Sequence, residues 1–150
     1  MPKYSGSGSQ TLTSSIVTAF MVASNASTAQ RNSVYEYVLG NIGTPADLIS
    51  VHTIQRLTVV GTNTDVVPSK MDLADRAAQA DAGENHTVEP TYTSNEEVDE
   101  IPLNHRGTYK WQAAPGSEIV CPATTGDGIG FGATHASATT DWRAGAKWTE

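Results

Sequence analysis

Apolar and polar residues alternate with period two along most of the chain, the mark of half-buried β-strands. The clearest case is Asp141–Trp148. There Trp142, Ala144, Ala146 and Trp148 alternate with Asp141, Arg143, Gly145 and Lys147. One face is apolar and the other wet, which puts both tryptophans in the core. The same alternation runs through Tyr109, Trp111 and Ala113, and Val98–Leu103 reads as a strand entering a turn at Asn104-His105-Arg106-Gly107. Ala114-Pro115-Gly116-Ser117 predicts a turn, Ile119–Cys121 a short strand, and Gly126-Asp127-Gly128 a hairpin.

The first half is less regular. Ile16–Ala23 is apolar on both faces, so it predicts a strand covered on both sides, at a subunit contact. Ser24–Ser27 and Thr44-Pro45-Ala46-Asp47 read as turns. In Ser33–Leu39 the residues Val34, Glu36 and Val38 face one way and Tyr35, Tyr37 and Leu39 the other. The apolar phase slips within Ile49–Val60, between Val51 and Ile54, which predicts two short strands or one bulged strand. Asp72–Ala82 is alanine-rich, with Asp72 as a cap and Gly83 after it, and predicts one short helix. Thr87–Thr93 has strand character interrupted by Pro90. Residues 1–10, MPKYSGSGSQ, predict a flexible Gly/Ser-rich arm, with Tyr4 as its one sizeable anchor. The expectation is therefore an all-β protein of about eight strands punctuated by turns. Its architecture is an antiparallel jelly-roll-like β-sandwich over residues 11–150, with one short helical connection.

Charge and composition narrow the chemistry. The 150 residues carry 16 acidic and 9 basic side chains, a net charge of -7. Such a field repels nucleic-acid phosphate, so no nucleic acid is expected as a partner. The most apolar run, Ile16–Ala23, is far shorter than the roughly 20 residues a spanning helix needs, and the first residues do not read as a signal peptide. No membrane is expected. Cys121 lies in an apolar run and reads as a small buried hydrophobe. His52, His86, His105 and His135 each stand alone in strand or turn, without the i, i+4 or His-x-His spacing of a metal site. No catalytic, cofactor-binding or metal-binding residues are assigned, and no enzyme is expected. Gly126, Gly128, Gly130 and Gly132 do not match a dinucleotide fingerprint. At every second position they predict close approach of a backbone or an aromatic ring, with Trp142 or Trp148 as candidates. The stretch Glu96-Glu97-Val98-Asp99-Glu100 reads as a solvated edge, as a docking patch for a basic surface or, as a minor option without the spaced ligands and central Gly of an EF-hand loop, as a weak calcium site. Asn25-Ala-Ser27 and Asn85-His-Thr87 match the glycosylation pattern by chance.

Several stretches resemble small structural proteins of tailed bacteriophages: Gly43–Asp47, IQRLTVVGTNTDVVP (Ile54–Pro68), AGENHTVEPTYT (Ala82–Thr93), WQAAPGSEIVCPAT (Trp111–Thr124) and Gly128–Gly130. The resemblance covers roughly Arg31 to Glu150 and is one of strand and turn residues, not ligands. It implies a virion component of the head-decoration or cement type, made in the host cytoplasm and placed on the outer surface of the phage head. Its partners would be the major capsid protein and itself, as a homotrimer first and a dimer second. Tyr4, Ile16, Phe20, Glu96, Glu97, Asp99 and Glu100 are the candidate capsid or subunit contacts. The alternative is a tail or other virion-surface module that recognises a host glycan, which would need an outward tryptophan.

Overall fold

The computed structural model describes residues 1–44, 46–137 and 139–150. Among them are twelve strands and no helix. They are β1 (Lys3–Thr11), β2 (Val17–Ala23), β3 (Asn32–Asn41), β4 (Ile49–Val59), β5 (Thr62–Asp65), β6 (Ser69–Lys70), β7 (Asp81–Val88), β8 (Thr91–Asn104), β9 (Thr108–Gln112), β10 (Ile119–Cys121), β11 (Gly128–Thr134) and β12 (Asp141–Thr149). All pairings are antiparallel. The first sheet runs β10-β3-β12-β1-β6, with β9 also on β3, and the second runs β5-β7-β2-β11-β4-β8. The chain crosses between sheets at β1→β2→β3→β4, β5→β6→β7, β8→β9 and β10→β11→β12, giving the expected jelly-roll-like sandwich. The expected turn at Thr44–Asp47 includes position 45, which lies outside the described residues.

The core lies between the sheets. Trp142, Ala144, Ala146 and Trp148 all point into it, as their alternation predicts. Trp148 packs on Tyr4 and Phe20 with ring centroids 6.2 and 6.4 Å apart, and Phe20 stacks on Phe131 at 6.2 Å. These rings carry much of the buried apolar area.

The flexible arm is corrected to a strand. β1 pairs along its whole length with β12, from Lys3↔Thr149 to Thr11↔Asp141. Its Gly/Ser composition follows from packing. The serines at 5, 7 and 9 and the residues Gly6 and Gly8 alternate across the strand. A methyl group on Gly6 would strike the Phe20 ring, and one on Gly8 the Ala19 carbonyl oxygen and Glu84. These glycines let the second sheet close onto the first.

The predicted helix is also corrected. Residues 71–80 form turns and loop, and Asp81 and Ala82 open β7. Asp72 caps only one turn, accepting the Ala74 amide at 2.9 Å. A short helix needs an apolar stripe to dock, and its one large apolar residue, Leu73, is 90% exposed. Ala82 is instead buried in the sheet against β2.

Three further details differ from the sequence pattern. The β3–β12 register slips between Lys147↔Glu36 and Trp148↔Val34, leaving Tyr35 over as a bulge. Val34, Tyr37 and Leu39 are thereby all buried. In β4 the register against β11 is continuous, so the strand is single, and the bulges lie in its pairing with β8. Gly126-Asp127-Gly128 makes no hairpin, because β10 pairs with β3 whereas β11 pairs with β2 and β4.

Cys121 is fully buried, and burial pushes its thiol pKa up to about 12. It is therefore expected to react with a thiol reagent such as dithionitrobenzoate only as fast as the protein unfolds. Rapid labelling of the native protein would contradict that burial.

Candidate interaction surface

The outer face of the second sheet is built by register. Across β11, β4 and β8 the rows Thr134↔Val51↔Pro102 and Gly132↔Thr53↔Glu100 point away from the core. The row between them, Ala133↔His52↔Ile101, and the next one along, Phe131↔Ile54↔Asp99, point inward. Ile49 and Val51 therefore stand on the surface, 61% and 37% exposed. Half-buried Ile16 packs on Gly132 in the same face. Glu100 borders this apolar strip, and Glu96 and Glu97 are exposed farther along β8, the edge strand of the sheet. Charges on an edge strand also hinder strand addition by another chain.

The seven predicted contact residues thus separate. Ile16, Glu96, Glu97 and Glu100 lie on the second sheet's outer face or free edge. Asp99 turns inward and accepts a hydrogen bond from the Tyr37 hydroxyl at 2.8 Å, which ties the two sheets together. Burial, then that bond to Asp99, raises the Tyr37 pKa far above its usual value. Tyr4 and Phe20 are fully buried and offer nothing to a partner. β2 is indeed covered on both sides, but by its own chain: Phe20 and Val22 meet the main core, whereas Met21 and Ala23 pack with Leu57, Val60 and Tyr92.

Close approach explains the glycine row: backbone at Gly126 (Thr58) and Gly128 (Val22 and Ala23), and Tyr92 at Gly130 and Gly132. A methyl on Gly130 would lie 2.5 Å from the Tyr92 hydroxyl, and one on Gly132 would meet Ile16 and Tyr92. The expected aromatic neighbour is present, but it is Tyr92 and neither Trp142 nor Trp148, which occupy the other sheet. The Tyr92 hydroxyl bonds the Thr18 hydroxyl at 2.5 Å, and burial raises its pKa.

The histidines are not solitary. His52, His86 and His105 are buried. His105 bonds Ser50, its ring lies 5.3 Å from that of His135, and His52 sets its ring against the Trp142 ring at 4.9 Å. Burial, and secondarily His105, lowers the His52 pKa to about 4, and burial lowers that of His105. The inward positions Ser50 and His52 on β4 are polar while the outward Ile49 and Val51 are apolar, which hid this grouping from the pattern. Among the described residues no group of three His, Cys, Asp or Glu is placed to hold a metal ion.

On the outside of the first sheet, Glu36 sits between Lys147 at 2.7 Å and Lys110 at 3.1 Å. Hydrogen bonding to Lys147, with Lys110 assisting, holds its carboxyl below the usual range. A cleft opens between the edges of the two sheets. One part, about 290 Å³, is lined by Tyr37, Trp111, Asp99, Arg56 and Glu118 among others. A neighbouring part, about 670 Å³, shares Arg56 and reaches Arg31, Glu96 and Asp127.

No protein-family model and no curated protein matches the chain. A solved chain, from the structure of infectious bursal disease virus Gx strain, overlaps 99% of this chain and 42% of its own length, with 8% identity and a TM-score of 0.21. At that score two chains need not share a fold. What is established is the architecture: an all-β, two-sheet antiparallel sandwich.

Proposed function

We propose that the protein is a bacteriophage virion component of the head-decoration or cement type, docking on the major capsid protein through the outer face of its second sheet. The observation that carries this reading is the combination on that face of exposed Ile49, Val51 and Pro102 with Glu100 and the acidic β8 edge. An apolar centre bordered by charge is the usual anatomy of a protein contact. Its acidity suits a basic capsid surface and adds specificity. The sequence stretches that resemble tailed-phage structural proteins give the partner class. A homotrimer at local threefold positions remains the preferred assembly, with a dimer second, because several copies bound together raise effective affinity.

The test is co-sedimentation of the purified protein with phage heads lacking it. The wild-type protein is expected in the pellet. Combining Ile49→Asp with Glu100→Lys is expected to leave it in the supernatant, with an unchanged unfolding midpoint. Binding that survives both changes would remove this face from the reading, and wild-type protein that never pellets would remove the decoration role.

A further inference from the structure

We infer that the cleft between the sheet edges is a binding site for a neutral oligosaccharide. The inference does not rest on capsid docking: Ile49, Val51 and Glu100 play no part in it, although Glu96 of the β8 edge borders both surfaces.

Trp111 is the one tryptophan not fully buried, because Trp142 and Trp148 are core residues. It is held rigidly. Tyr37 lies nearly parallel to it, with centroids 5.1 Å apart and planes 19° apart, and Tyr109 packs on Tyr37 at 6.2 Å. Tyr37 is itself pinned by its hydrogen bond to Asp99. Trp111 therefore presents its remaining exposed surface at a fixed angle to the cleft. A pre-set aromatic surface suits the apolar C–H face of a sugar ring, with little ordering entropy to overcome.

The polar groups select among ligands. Arg56 stands where the two parts of the cleft meet, fixed by donating to the Val120 carbonyl oxygen at 2.7 Å. Asp99 and Glu118 lie beside it on the Trp111 side, and Arg31, Glu96 and Asp127 on the other. Two guanidinium groups and four carboxylates thus line the cleft. An anion would meet the carboxylates and a cation the guanidinium groups. A hydroxyl both donates and accepts, so a polyhydroxylated neutral chain satisfies both kinds of group. The adjoining volumes, about 290 and 670 Å³, give room for more than one ring.

The probes are cellohexaose, maltohexaose and chitohexaose, titrated into the full chain by calorimetry and by tryptophan fluorescence. At least one is expected to bind saturably at millimolar concentration or below and to shift the emission of Trp111. Arg56→Gln and Glu118→Gln are each expected to weaken that binding about tenfold, the size expected for a lost charge-assisted hydrogen bond. Trp111→Phe keeps an aromatic surface and is expected to retain calorimetric binding while losing the fluorescence shift. Near-UV circular dichroism from buried Trp142 and Trp148 checks that each variant is folded. No saturable binding by any of the three sugars would overturn the proposal. So would unchanged binding by folded Arg56→Gln and Glu118→Gln, or tighter binding of a heparin fragment than of every neutral chain.

Discussion

Replacing Trp148 by alanine is expected to destabilise the protein by about 3–5 kcal/mol, the cost of emptying a well-packed aromatic site. Trp148 is fully buried and touches both sheets: it packs on Tyr4 of β1 beside it and on Phe20 of β2 across the core. The Gly6 position lies against the same indole, so the backbone of β1 is shaped around it. Neither sheet can close over the gap without moving strands paired on both sides. Small domains have only about 5–15 kcal/mol of stability in total, so the loss is a large share. Urea unfolding followed by circular dichroism measures it, as a lower midpoint with little change in slope. A cost under about 1 kcal/mol would mean that the site is far looser than its packing indicates.

Acid is expected to weaken the fold well before ordinary carboxylates titrate. Above pH 6.5 His52 is neutral in both folded and unfolded chains and contributes no pH dependence. Burial holds its folded pKa near 4 against an ordinary 6.5. As the pH falls through that interval only the unfolded chain takes up the proton, so stability falls by about 3 kcal/mol by its lower end. His86 and His105 are lowered in the same direction, chiefly by burial. The ring nitrogens of His52 have no hydrogen-bond partner among the described residues, and the charge that acts on His52 is that of His105. Glu36, whose carboxyl is held low by Lys147 and Lys110, adds its own loss only below the ordinary carboxylate value of 4.5. Unfolding free energy measured across pH 7 to 4.5 therefore isolates the histidines. His52→Leu is expected to flatten that slope, and a variant as acid-sensitive as the wild type would remove His52 as its source.

The strands that were legible are those with one wet face. β12 could be read residue by residue because Asp141, Arg143 and Lys147 mark the outside as clearly as Trp142 and Trp148 mark the inside. β1 carries the same alternation, Tyr4, Gly6 and Gly8 against Ser5, Ser7 and Ser9, but two of those three inward residues are glycines. Composition alone cannot tell a glycine chosen for close approach from one in a flexible tail. The 72–82 segment failed for the opposite reason. Its alanines favour a helix locally, yet nothing on such a helix could be buried, and pairing with β2 decides the outcome. In β4 the core positions Ser50 and His52 are polar, and His105 and His135 come from segments distant in sequence. Their convergence depends on long-range pairing that no local pattern encodes. The acidic stretch was legible as an edge. That Asp99 would turn inward to Tyr37, away from Glu96, Glu97 and Glu100, follows from the register of β8 on β4.

The pairing of β1 with β12 also fixes an order in time. Thr11 and Asp141 are 130 positions apart, and β6, the other neighbour of β1, meets it only at Tyr4 and Ser5. On the ribosome β1 emerges early and waits, its hydrogen-bonding edge open, until β12 has been synthesised. Contacts that distant carry a large loop-closure cost and slow the final step. The serines and glycines of β1 make that wait safer than a run of valines would, because a polar, glycine-rich strand is a poor nucleus for aggregation.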